Sequence, residues 1–153
     1  MFWEHDVFRT RSICLAGGQF WSDHPSDVLL EGLQVRQATK YRNELFGKML
    51  IIKQGHLGSI YSMMETVVTL YHCDFVKFDE KRKKFLDKVL ISKGHATAAL
   101  YPILRDFGLV KEKDWNDWGH KSSLLRVFGN ISIPGIDVTS GSLGHCIGVG
   151  AGM

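Results

Sequence analysis

The sequence predicts an α/β domain, a parallel sheet flanked by helices, on three observations. Apolar residues recur at helical spacing in two long stretches between residues 26 and 71. A short apolar run, Val89-Leu90-Ile91-Ser92, precedes a glycine–histidine turn and a further helical pattern. A second glycine-rich turn, Thr139 to Gly144, leads into a small apolar segment. Strands alternating with helices belong to layered α/β architectures.

Residues 1–23 carry scattered aromatic residues, among them Phe2, Trp3, Phe20 and Trp21, and no clear period. They read as an N-terminal arm or extension, and the domain as residues 24–153. From Ser26 to Ile52 the pattern is helical, with Tyr41, Leu45, Met49 and Ile52 spaced by four, four and three. Gln54-Gly55-His56-Leu57-Gly58 ends that helix. Ser59 opens a second, along which Ile60, Met63, Met64, Val67, Val68 and Tyr71 follow one helical face. The methionine pair reads as core filler. Residues 74–88 form a charged connection. Val89–Ser92 reads as a buried strand. A third helix runs from Ala96 to Phe107, with Pro102 marking a kink or a short first segment and Gly108 a cap. A loop region with Trp115 and Trp118 follows, then a turn at Pro134-Gly135.

The chain has 153 residues, enough for one domain with a sizeable core. Its 44% hydrophobic and 23% charged residues are those of a globular protein. A net charge of +3 is no nucleic-acid signature. The run Lys81-Arg82-Lys83-Lys84 is bounded by Asp79, Glu80 and Asp87 and reads as a solvated loop or helix face. No apolar run approaches the roughly 20 residues of a membrane span, and no signal peptide is evident. Cys14, Cys73 and Cys146 are far apart, with no CxxC pair. They read as reduced thiols of a cytoplasmic protein, without a zinc site.

Two histidines occupy glycine-rich turns at element boundaries. His95 follows the apolar run at a strand-to-helix turn, where α/β sheets bind ligands and helix starts favour phosphate. His56 lies between two helices. Either side chain could donate to a phosphate oxygen or shuttle a proton, or could simply cap a helix through a structural hydrogen bond. Gly141-Ser142-Leu143-Gly144 resembles a phosphate loop only loosely, because it lacks the lysine of GxxxxGK[ST]. A plain tight turn fits it as well.

Three segments together resemble the N-terminal part of transketolase. Gln54-Gly55-His56-Leu57-Gly58-Ser59 is similar to that family's GHPG segment. Ile91-Ser92-Lys93-Gly94-His95-Ala96 is similar to its S-[NK]-G-H-A segment. Pro134 to His145 is similar to its PGVE segment and the TG-[PS]-LGQG stretch that follows it. The resemblance covers residues from about 30 to 153, and the GSLG form is like that of the split transketolases, in which two chains share the enzyme. It implies the thiamine diphosphate-binding fold, incomplete at its C-terminus. It also implies a transferase of carbohydrate metabolism and the pentose phosphate pathway, moving a two-carbon ketol unit between sugar phosphates.

Carried over by residue, the resemblance gives His95 a contact to the cofactor diphosphate. It gives His56 proton transfer or hydroxyl binding near the substrate's reacting carbon. Gly141 and Leu143 become contacts to the cofactor's rings. Asn130 stands where the family carries a donor-sugar histidine; asparagine can hydrogen-bond a hydroxyl but cannot act as a general acid near neutral pH. Leu57 replaces the proline of GHPG, and His145-Cys146 replaces Gln-Gly.

The resemblance also implies a divalent metal, Mg2+ or Ca2+, whose motif is expected to follow Met153, as is the activating glutamate of a second domain, so no metal ligand is expected in this chain. The resemblance therefore implies a fragment or subunit. It would join a C-terminal transketolase section in a dimeric assembly and be inactive alone. A non-catalytic relic or regulatory module that keeps part of the fold is the alternative.

Overall fold

A computed structural model describes residues 25–153. The reading of residues 1–23 as an arm falls outside the described residues.

Helix α1, Pro25–Ile52, matches the predicted span. Its buried stripe is Ala38, Tyr41, Leu45 and Met49, at the helical spacing legible in the sequence. The chain reverses through Lys53, at φ 53°, and Gly55, at φ 124°. A Cβ on Gly55 would lie 2.7 Å from the Met49 sulfur, so both the conformation and the contact call for glycine.

The second predicted helix is two helices, α2 (Leu57–Tyr61) and α3 (Met64–His72). The break falls at Ser62 and Met63. The Ser62 hydroxyl donates to the Ser59 carbonyl at 2.9 Å and accepts from Lys93 Nζ at 2.9 Å. Local side-chain-to-backbone bonds of this kind compete with the helical ladder. Met64, Val67, Val68 and Tyr71 line the buried face of α3, while Met63 sits only at the edge of the core.

Inside the charged connection the structure forms a two-stranded hairpin, β1 (Phe78–Asp79) and β2 (Lys84–Phe85), antiparallel and pairing Phe78 with Phe85. Asp79 Oδ1 accepts the Lys81 and Arg82 N–H groups, which closes the turn. Phe78, Phe85 and Phe107 meet at 4.9–5.1 Å between ring centroids. Among the described residues this is the only sheet, so the parallel sheet expected from the sequence is not formed here. The predicted strand Val89–Ser92 carries no ladder. Ile91 is buried, as the apolar run implied, but the polar groups at this segment's end bond to the start of the last helix, at Gly144 and Cys146, not to a neighbouring strand.

The third predicted helix opens as a 3-10 helix, Gly94–Leu100, and continues as α4, Tyr101–Asp106. Pro102 stands at the first turn of α4. It has no N–H to bond back to Ala98, and the Tyr101 N–H takes that carbonyl instead, the i−3 pattern of the tighter helix. Gly108, at φ 74°, ends α4 as expected.

The tryptophan region contains a short helix, α5 (Glu112–Asn116), not evident in the sequence. Trp115 and Trp118 are buried beside Tyr101, and the Arg105 guanidinium lies 4.5 Å from the Trp115 ring while pairing with Glu44 of α1 at 2.6 Å. The Pro134-Gly135 turn is present, and α6 is His145–Gly152.

The core gathers Tyr41 and Leu45, Met64, Val67 and Val68, and Leu100 to Leu104, closed by Leu125 and Ile133. Beside it the Tyr41 hydroxyl donates to Asp106 at 2.7 Å and lies 2.8 Å from His72 Nε2. Burial pushes the Tyr41 hydroxyl well above its ordinary value. No described helix is long and apolar enough to cross a membrane.

Candidate functional site

Two turns bring the predicted histidines together. His56 is exposed at the N-cap position of α2, immediately after the Gly55 reversal. His95 is half-buried in the first turn of the 3-10 helix. Helix α2 packs on that 3-10 helix, and the bond from Lys93 Nζ to Ser62 links the two regions. The imidazole centroids lie 4.6 Å apart, edge to face at 77°.

Phe128 forms the third side, 5.0 Å from His95 and 6.2 Å from His56. Sequence reasoning did not single out this aromatic. Its available signal was the glycine beside it. A Cβ on Gly129 would run into the Thr97 methyl and come within 2.9 Å of Ile136, so glycine lets the 128–130 turn lie against the helix that carries His95.

Asn130 follows in the same turn. Its Oδ1 accepts the Ser132 N–H at 2.9 Å and its backbone carbonyl accepts the Ile133 N–H at 3.0 Å. The side-chain oxygen is thus engaged in the turn, and the amide N–H2 is the group left to reach a ligand hydroxyl. The Ile131 N–H donates to Thr139 Oγ1 at 3.2 Å, tying this turn to the glycine-rich one.

Gly141 and Leu143 both sit exposed on the glycine turn. A Cβ on Gly141 would meet open space, and Leu143 is 67% exposed. The turn is held to the His95 segment at close range. A Cβ on Gly94 would lie 2.6 Å from the Ser140 carbonyl oxygen, and the Gly144 N–H donates to the Ser92 carbonyl at 3.4 Å. The three segments and the 128–130 turn are therefore linked: His56 and His95 touch directly, and Asn130, Gly141 and Leu143 sit on turns tied to the His95 segment.

These residues fit an anionic head group with an apolar body. Two imidazoles can donate to oxygens, Gly141 leaves room for close backbone approach, and Leu143 offers uncovered apolar surface. They do not fit a metal ion: among the described residues no group of three or more His, Cys, Asp or Glu side chains is arranged to hold one.

The family model described as "Transketolase, thiamine diphosphate binding domain" matches residues 45–153. The chain is 33% identical over 119 residues to one of the subunits of apulose-4-phosphate transketolase from Phocaeicola vulgatus, an alignment covering 76% of this chain and 42% of that protein. It is 29% identical over 102 residues to a putative uncharacterized transketolase family protein of Sinorhizobium fredii, covering 65% of this chain and 37% of the relative. Transketolase-like protein 2 of Homo sapiens is 31% identical over 100 residues, covering 65% and 16%. The chain thus spans less than half the length of the curated relatives it matches.

Proposed function

Because the chain belongs to the transketolase family, matching its thiamine diphosphate-binding domain, we propose that it is one section or subunit of an enzyme moving a two-carbon ketol unit between sugar phosphates. The observation that carries this reading is the meeting of His56 and His95 at 4.6 Å beside a glycine turn anchored to the His95 segment. Thiamine diphosphate, when bound, supplies the electron sink for carbon–carbon chemistry.

His95 donates to the diphosphate. Gly141 and Leu143 back the cofactor's rings. His56, the more exposed imidazole, binds a substrate hydroxyl and moves its proton. Asn130 offers its amide N–H2 to the sugar. Any Mg2+ or Ca2+ takes its protein ligands from outside the described residues. Val89–Ser92 is the segment that would join a parallel sheet once the domain is complete; its apolar character and the burial of Ile91 support that reading.

The site is finished by a C-terminal section or partner subunit in a dimeric assembly, in the cytoplasm, and the chain alone does not turn over. A relative named as one subunit of a transketolase supports the divided arrangement.

The test is calorimetric titration of thiamine diphosphate, with magnesium, into the chain assembled with its completing section. His95→Ala should weaken binding by tenfold or more, and His145→Ala far less. Equal losses would undo the assignment of His95. An assembly that binds no thiamine diphosphate would leave the non-catalytic reading standing.

A further inference from the structure

We propose that Ser92 is a positioning residue whose side chain and backbone clamp the glycine turn, and with it Gly141 and Leu143, onto the segment carrying His95. The inference rests on the cofactor reading above, but its structural half stands on this chain alone.

Helix α6 begins without a local cap. Its N-cap residue is Gly144, left-handed at φ 82°, with no side-chain oxygen to serve the first-turn N–H groups. The Cys146 N–H lies in a residue only 2% exposed, where water is a poor substitute. Ser92, 54 positions earlier, supplies the missing acceptor: its Oγ accepts the Cys146 N–H at 3.1 Å. The Ser92 carbonyl accepts the Gly144 N–H at 3.4 Å. Next to it, the Cys146 thiol donates to the Ile91 carbonyl at 3.5 Å. Two residues on, Gly94 meets the Ser140 carbonyl with no room for a Cβ.

Residues 91–94 thus hold residues 140–146 along one continuous line, and Ser92 is the only member of that line on residues 91–94 that grips through a side chain. Two residues separate it from His95. A shift of the glycine turn relative to His95 breaks the Ser92 bonds first. The hydroxyl acts through the turn it holds, and no contact with reacting atoms is assigned to it.

The test compares Ser92→Ala with Ser92→Thr, which keeps the hydroxyl. In the full chain, amide hydrogen exchange at residues 144–147 should quicken at least tenfold in Ser92→Ala and return toward the parent rate in Ser92→Thr. Exchange at core amides of α1 and α3 should stay unchanged in both. In the complete assembly, Ser92→Ala should bind thiamine diphosphate about tenfold more weakly, with Ser92→Thr restoring most of the affinity. Unchanged exchange at 144–147, or acceleration spread evenly through the core, would overturn the clamp. Local acceleration with undiminished cofactor affinity would overturn its role in positioning. If the parent assembly itself binds no thiamine diphosphate, it is the proposed function that fails, and the exchange data still decide the clamp.

Discussion

Replacing Gly94 with alanine should damage the site by a route that can be worked from distances. The new Cβ would lie 2.6 Å from the Ser140 carbonyl oxygen and 2.9 Å from its carbonyl carbon. Ordinary contact begins near about 3.4 Å, so one backbone must retreat from the other by about 0.8 Å. No flexible side-chain end can absorb that movement, because the obstructing atoms are main chain. Gly94 has no left-handed φ, so the effect is steric and not conformational. Overpacking of this kind costs about 1–3 kcal/mol. For a chain of this length that corresponds to a fall in thermal midpoint of about 4–8 °C for a cost of 2 kcal/mol. The displaced element is the turn that carries Gly141 and Leu143, so thiamine diphosphate affinity in the complete assembly should fall as well. Gly141→Ala is the control. Its Cβ would meet open space, and its stability should stay within the roughly 0.5 kcal/mol typical of surface changes. Scanning calorimetry and cofactor titration read both quantities. A Gly94→Ala protein with parental midpoint and parental affinity would refute the claim that the two turns are in fixed contact.

Two further outcomes concern the fold around the site. Thr97 is 2% exposed and its hydroxyl has no hydrogen-bond partner among the described residues; Thr97→Val removes an unpaired buried group and should raise stability by about 1 kcal/mol in urea denaturation, a fall marking a hidden partner. Burial holds the His72 imidazole below its ordinary value of 6.5. Burial would raise the Asp106 carboxyl, but hydrogen bonds from Tyr41 and Lys40 outweigh it and hold that group below 3.8. In both cases the unfolded chain binds more protons, so stability rises with pH. The His72 contribution is complete above about pH 6.5 and is lost as pH falls through its lowered folded value, with the Asp106 contribution following in stronger acid. Urea midpoints measured across this range should slope down below about pH 6.5 in the parent and less so in His72→Gln; equal slopes would contradict the role given to His72.

Much of the helical framework was legible because burial writes a period into the sequence. Tyr41, Leu45 and Met49 are the buried stripe of α1, as their spacing required. Features made by tertiary contact were not legible. At the break between α2 and α3, Ser62 meets Lys93, 31 positions away. The hairpin has two residues per strand, too few for an alternation to stand out from the charges around it. Helix α5 has five residues, little more than one turn, and shows no period. Val89–Ser92 was read as a strand from its composition, but a strand also needs a neighbour, and composition carries no information about one. At the site, each histidine was visible as a turn residue, whereas their meeting and the approach of Phe128 were not.

The glycines make the same distinction sharper, because one residue type serves opposite purposes along this chain. Gly94 and Gly129 are small because protein occupies the place of the missing side chain: the Ser140 backbone in one case, Thr97 and Ile136 in the other. Gly150 likewise lies against Leu90, with 2.8 Å between its Cβ position and Cδ1. These positions bring the turns together. Gly141 is different, since nothing fills the space beside it. Packing does not require glycine there and neither does a left-handed φ, which leaves space for something outside the protein as the reading to test. The Gly141→Ala control tests it. Unchanged stability with weakened cofactor binding assigns the space to the ligand, and unchanged stability with unchanged binding removes Gly141 from the site.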